Sequence, residues 1–211
     1  MRARLASLAA CCLLLGACSV LPKAEAPTVY RLPAAPANDP DTTAAALPWA
    51  LRIDTPLAGG GLDSARIAVL PGPDEITSYK GARWSDRAPV LLRDRLFDAF
   101  LASGRVPRLS VDDGNLQADL ELGGSLRAFQ SEYQDGRPVV VIRYDAQLIR
   151  SGAQRILAAR RFDVRVPAAG KEVPQVVAAF GAASDQLAAA VIPWTLQAAA
   201  QAPARSSERS D

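Results

Sequence analysis

Apolar and polar positions along the chain repeat with two different periods. Trp49, Leu51, Ile53 and Thr55 alternate with Ala50, Arg52 and Asp54, the period-two pattern of a half-buried strand. Arg66 to Leu70 predicts a second strand, closed by Pro71-Gly72-Pro73, and Glu75 to Lys80 a third, short one. From Trp84 to Ser103 the period lengthens. Ala88, Leu92, Leu96 and Ala99 or Phe100 recur every three or four residues, as on one face of a helix. Ser85 or Asp86 can cap its start, Pro89 suits the first turn and Gly104 ends it. Three alternating rows follow: Leu116, Ala118, Leu120 and Leu122; then Val140, Ile142, Tyr144, Ala146 and Leu148; then Phe162, Val164 and Val166. Asp135-Gly136 and Ser151-Gly152 fall between them as hairpin turns, and Gly123-Gly124 predicts a bulge or bend. A second helix is expected from Pro174 to Leu196, with an apolar stripe of Val176, Phe180, Ala183, Leu187, Val191 and Trp194. Pro193 should kink or end it.

These elements predict an α+β domain over residues 49–200: an antiparallel sheet of five or six strands with two amphipathic helices on one face. Each helix has one apolar stripe and the sheet one apolar face, so stacking them in two layers buries all three. Residues 201–211 are polar and expected to be a disordered tail.

The N-terminus changes the picture. Arg2 and Arg4 precede an uncharged run from Leu5 to Leu15. That run is too short to span a bilayer, which takes about 20 apolar residues, and reads as a secretory signal. Its end, Leu15-Gly16-Ala17-Cys18, is similar to a bacterial lipobox. Residues 1–17 are then a lipoprotein signal peptide, cleaved between Ala17 and Cys18, and Cys18 carries the lipid. Ser19 follows it rather than the Asp that commonly retains lipoproteins in the inner membrane, so the outer membrane is expected. Residues 18–48 contain Pro22, Pro27, Pro33, Pro36, Pro40 and Pro48 and are expected to form an extended tether. Thr28 to Leu32 interrupts it and can form a short edge strand. From Cys18 to Trp49 such a tether reaches several tens of ångströms, at roughly 3.1 Å per residue.

Charge and chemistry narrow the function. Losing Arg2 and Arg4 leaves 22 basic side chains against 22 acidic ones, from 24 and 22 in the whole chain. A neutral mature chain lacks the basic excess of a nucleic-acid binder. The chain has no His, and Cys11 and Cys12 leave with the signal. A Ser-His-Asp triad and a free Cys nucleophile are therefore excluded. Gly59-Gly60-Gly61 lacks the following Lys-Ser or Lys-Thr of a phosphate loop, and Asp112-Asp113-Gly114-Asn115 reads as a turn rather than a calcium loop. Asp119 and Glu121 lie on a solvent-facing row with no second carboxylate placed opposite them, so no catalytic residue and no metal ligand is nominated. Among the arginines of the last two strands, Arg143, Arg161 and Arg165 are candidate contacts for a partner or for lipid. The competing reading is a solvated face partly neutralised by Asp145 and Asp163.

With these pieces in place, the chain resembles the PqiC-like ABC-type transport auxiliary lipoproteins. The resemblance rests on the lipobox at Cys18, on Tyr30-Arg31-Leu32, on Ile67-Ala68-Val69-Leu70-Pro71, and on Tyr79-Lys80-Gly81-Ala82-Arg83-Trp84 ahead of the first helix. It implies a protein that is not an enzyme and needs no cofactor beyond the covalent N-acyl diacylglycerol lipid on Cys18. It implies as partners an MCE-domain protein and the associated ABC permease and ATPase, a place on the periplasmic face of the outer membrane, and lipid transport as the process served. It also admits a homo-oligomer. A stand-alone lipoprotein that assists assembly of another outer-membrane complex is the alternative. A periplasmic hydrolase is disfavoured by the missing His and the missing Gly-x-Ser-x-Gly elbow.

The lipobox makes one direct prediction. Cys18→Ala should abolish labelling by radioactive palmitate and leave unprocessed precursor, whereas labelling that persists would rule out the anchor.

Overall fold

The alternating segments fold into strands of one sheet, and the two long-period segments fold into helices. The structure is a computed structural model and describes residues 26–34, 47–72, 74–114 and 116–201. In chain order the elements are β1 (Thr28–Tyr30), β2 (Ala50–Ile53), β3 (Leu57–Ala58), β4 (Arg66–Gly72), β5 (Glu75–Trp84), α1 (Ala88–Ala102), β6 (Arg108–Val111), β7 (Leu120–Gln134), β8 (Arg137–Arg150), β9 (Arg155–Pro167) and α2 (Val173–Gln201). Signal residues 1–17, Cys18 and the tail beyond Gln201 lie outside the described residues.

β7 is the centre of the sheet. Along one edge it pairs antiparallel with β8 from Leu120 to Gln134. Along the other it meets β2 at Leu120–Leu122, β3 at Ser125–Leu126 and β4 at Ser131–Glu132, all parallel. β6 adds parallel to β2, β5 antiparallel to β4, β1 parallel to β5, and β9 antiparallel to β8. The expected α+β class therefore holds, but the expected antiparallel sheet of five or six strands is in fact a mixed sheet of nine among the described residues. The reason is physical. Alternation reports which side chains face the core, not which way a neighbour runs. Parallel pairs arise when the chain crosses over, as between β2 and β6, where α1 intervenes.

The β7–β9 meander keeps its expected order, but its first strand is displaced: Leu116 and Ala118 precede β7, Leu116 is exposed, and β7 runs on to Gln134. Asp135 and Gly136 take φ of 48° and 72°, the left-handed pair of a tight hairpin. The second turn is longer, a short 3-10 segment at Ser151–Ala153 closed by Gln154 in left-handed conformation. The predicted bulge is displaced. It lies between Leu126 and Ala128, so Arg127 is the extra residue. It resets the alternation, and both Leu126 and Phe129 point into the core. Gly124 has a different task. Its φ is 137°, and a Cβ there would lie 2.0 Å from the carbonyl oxygen of Asp145. Beside it, the buried Tyr144 hydroxyl donates to the Gly123 carbonyl at 2.6 Å.

Both helices pack on one face of the sheet and on each other. α1 starts at Ala88 rather than at Trp84, with Pro89 in its first turn and no side-chain cap. Trp84 instead ends β5 and is fully buried. α2 is long and apolar enough to cross a membrane by length and composition alone, but its stripe of Val176, Phe180, Ala183, Leu187 and Val191 is buried in this core. Pro193 does not end α2, which runs on to Gln201. The two residues that follow the proline are held in place by packing and by a hydrogen bond to the preceding turn. Trp194 stacks edge-on against Phe162 with centroids 5.6 Å apart, and the buried Thr195 hydroxyl donates to the Val191 carbonyl at 2.9 Å.

The folded body also begins before Trp49. β1 pairs with the end of β5, Tyr30 opposite Trp84, and the Ser85 amide donates to the Tyr30 carbonyl at 2.7 Å. Arg95 of α1 is buried, donates to the Pro33 carbonyl at 3.2 Å, and is ion-paired with Asp185 of α2. One guanidinium thus ties both helices to the entering chain. At most residues 18–27 then separate the proposed anchor from the sheet, not residues 18–48.

Two predictions follow from this packing. Gly124→Ala should cost at least about 2 kcal/mol in chemical denaturation, because strain and steric overlap coincide, while Gly59→Ala, with open space around it, should stay within about 0.5 kcal/mol. A chain starting at Leu47 should be less stable than one starting at Ala26 by roughly 2–4 kcal/mol, since it uncovers Trp84 and leaves Arg95 without one partner. Equal denaturation midpoints would contradict the role given to β1.

Candidate functional site

The sheet face opposite the helices is where the nominated arginines lie. On β8 the residues Val140, Ile142, Tyr144, Ala146 and Leu148 enter the core, so Arg143 and Asp145 point the other way. Strand register sets Arg143 opposite Asp163, Asp145 opposite Arg161, and Val141 opposite Arg165. All three candidate residues, Arg143, Arg161 and Arg165, are thereby brought onto one face.

Each of them meets a carboxylate there. Arg143 Nε lies 2.7 Å from Asp163. Arg161 donates twice to Asp145, at 2.5 and 2.8 Å, and Arg127 reaches the same carboxylate at 3.1 Å. Arg165 is 3.3 Å from Asp163 and 3.5 Å from Glu132. Hydrogen bonding from Arg161, aided by Arg127, holds the Asp145 carboxyl down at about 2. Exposed pairs of this kind contribute little stability individually, at most about 1 kcal/mol. Their effect is to offset the charge of Arg127, Arg143, Arg161 and Arg165, leaving a ladder of mixed sign at these positions in place of a cationic patch.

Other polar residues singled out in the sequence also serve the fold. Asp119 accepts the Ala50 amide at 2.9 Å. Glu121 is not on an open solvent face: it is buried and 3.0 Å from Arg52, whose Nε also bonds Asp54 at 2.7 Å. Burial raises the Asp54 carboxyl, with the Arg52 hydrogen bond working against it. Asp112 and Asp113 sit in a 3-10 turn, and both carboxylates face the buried Arg93 at 2.8 and 2.9 Å. The Thr55 amide adds a third bond to Asp112. A guanidinium occupies the place a calcium ion would need, so this segment is a turn, as expected. Gly59 to Gly61 form a loop with no helix behind them.

Among the described residues no three acidic or sulfur ligands converge to hold a metal ion. Burial raises the Tyr79 hydroxyl to about 12, against a hydrogen bond to Ser131, and burial raises Tyr144 further. Both phenols stay protonated at neutral pH. A shallow cavity of about 400 Å³ lies between the end of α2 and the start of β9. It is lined by Arg155, Leu157, Trp194, Gln197, Gln201 and two alanines, without a nucleophile or carboxylate.

Sequence reading missed two sets of residues. Arg93 and Arg95 of α1 are both buried and ion-paired. The spacing of Arg93 and Arg95 on either side of the Leu92–Leu96 stripe was the available signal. The second set is Arg31, Arg66, Lys80 and Arg83. They are exposed around β1, β4 and β5, and none has a carboxylate partner among the described residues. Lys80 and Arg83 belong to the block that carried the family resemblance, but their charge was not considered.

Comparison with known proteins completes this picture. No curated protein matches the chain. A crystal structure of protein XCC0632 from Xanthomonas campestris, of the DUF330 family, has a TM-score of 0.74 at 31% identity, covering 82% of this chain and 98% of that one. A second crystal structure, of an uncharacterized protein, shares the fold with a TM-score of 0.62 at 17% identity, covering 81% of this chain and 99% of its own. The family model described as ABC-type transport auxiliary lipoprotein component matches residues 30–192, from the end of β1 almost to Pro193 of α2. By its sheet, its two helices and this match over most of the folded body, the chain belongs to the ABC-type transport auxiliary lipoprotein component family.

Proposed function

We propose that the protein is held in the outer membrane by an N-acyl diacylglycerol lipid on Cys18. There it docks the periplasmic conduit of an ABC/MCE-type transporter, so that lipid can pass between the two membranes. The observation that carries this reading is the family match across residues 30–192 in a chain that also has the box Leu15-Gly16-Ala17-Cys18. Ser19 after the lipidated residue supports the outer membrane as its destination. The partners are an MCE-domain protein and the ABC permease and ATPase behind it.

The role is one of binding rather than catalysis. The chain has no His, and the acidic side chains that sequence reading considered are engaged by Arg93, Arg52 or backbone amides. A rigid sheet with helices on one face leaves the other face free to meet a partner, and its paired charges avoid strong non-specific attraction.

Deleting this gene and deleting the partner transporter should give the same weakening of the outer-membrane permeability barrier, with no further loss in the double mutant. Crosslinking in cells should recover the MCE-domain protein. Additive defects together with no crosslinked MCE protein would overturn the docking role and favour a stand-alone lipoprotein.

A further inference from the structure

We propose that the edge formed by β1, β5 and the start of β4 rests on anionic phospholipid headgroups of the membrane that holds the anchor, a reading that depends on lipidation of Cys18 as proposed above. Chain length comes first. Ten residue steps separate Cys18 from Thr28, so they span at most roughly 36 Å even when fully extended. The β1 end of the sheet must therefore stay near the bilayer. β1 runs parallel to β5 with Thr28 opposite Ala82, so the chain enters the fold beside Lys80 and Gly81.

Charge is the second observation. Register places Arg66 directly opposite Arg83, and Val29 opposite Arg83 on the other side. These side chains point away from the core, since Ile67 and Trp84 next to them are fully buried. Like charges directly opposite on a sheet repel. On β8 and β9 the same fold sets Asp163 opposite Arg143 and Asp145 opposite Arg161. At β4 and β5 no described carboxylate answers Arg66, Lys80 or Arg83. Asp63 is taken by Arg87 at 2.7 Å, and Asp86 accepts the Arg87 amide at 2.6 Å. Arg31, two residues beyond Val29, adds a fourth exposed cation.

An anionic lipid surface relieves this repulsion, and its attraction acts within about 10 Å at moderate salt. Val29 is 49% exposed among the cations and supplies an apolar contact at headgroup depth. Arg108, Arg137, Arg155 and Lys171 also lack a carboxylate partner among the described residues, but they stand on separate elements, and Arg155 lies opposite Arg150 beside the β8–β9 turn, away from β1.

The test uses the lipidated full-length protein on vesicles of phosphatidylethanolamine and phosphatidylglycerol at ~7:3, a composition that supplies the anionic surface. Val29→Cys or Ala153→Cys carries a fluorophore, and some of the lipids carry a headgroup nitroxide quencher. Ala153 lies in the turn between β8 and β9, at the far end of the sheet. The Val29 reporter should be quenched at least about threefold more than the Ala153 reporter. The difference should vanish on phosphatidylcholine vesicles and in Arg66→Gln/Lys80→Gln/Arg83→Gln, and should persist in Arg143→Gln/Arg161→Gln/Arg165→Gln. Protein that floats with the vesicles but quenches both reporters equally would overturn this docking surface and leave the anchor standing. So would quenching at Val29 that the Arg66, Lys80 and Arg83 substitutions leave unchanged. Protein that fails to float would overturn the anchor and this surface together.

Discussion

β7 is paired with β8 along nearly its whole length on one edge and with β2, β3 and β4 at three short stretches on the other, and the rest of the architecture is arranged to supply these partners. A fifteen-residue strand in the middle of a sheet exposes a long row of amides and carbonyls, each of which needs a partner once buried. One edge is satisfied by a local hairpin, which costs little loop entropy. The other is covered piecewise by β2, β3 and β4, three short segments from the first half of the chain. Because they run parallel to β7, each must be delivered by a crossover. α1 and the β4–β5 hairpin occupy that connecting chain and become the packing units around the central strand.

Gly124 and Arg127 let one long strand serve so many neighbours. At Gly124 the backbone of β8 comes too close for any side chain. At Arg127 the bulge resets the alternation, so that Phe129 joins Trp84 of β5 and Phe180 of α2. Their ring centroids lie 4.9 to 6.1 Å apart, and this aromatic group joins the sheet to α2. The buried arginines of α1 make the other long-range links. Arg93 ties the helix to the turn after β6, and Arg95 ties it to α2 and the entering chain. Loss of Asp185 would leave the buried Arg95 charge without a carboxylate, a costly defect, whereas Arg93 is held by Asp94, Asp112 and Asp113 together.

The basic residues divide into two populations of different use. Arg127, Arg143, Arg161 and Arg165 of β7, β8 and β9 are spent on neighbouring carboxylates, giving a surface of mixed sign that is suited to a protein partner. Those around β1, β4 and β5 face one another without acidic neighbours at the point where the chain enters from its N-terminus. A chain with a formal net charge of only +2 can thus hold a directional charge pattern that its composition conceals.

Local sequence encodes the period-two rows of β8 and β9, the Asp135-Gly136 hairpin, the two amphipathic helices and the block that identifies the family. Each of these is encoded within a dozen neighbouring residues, where side-chain orientation follows directly from backbone period. It also announced the edge strand at Thr28 to Leu32. Only the tertiary structure decided that β2, β3 and β4 run parallel to β7, that the bulge falls at Arg127, and that α2 continues through Pro193. It alone showed that Arg143, Arg161 and Arg165 are neutralised while Arg66 and Arg83 are not. These depend on register between segments far apart in the chain. A single strand's alternation states which face a residue takes, but the residue opposite it is chosen only when the strands align.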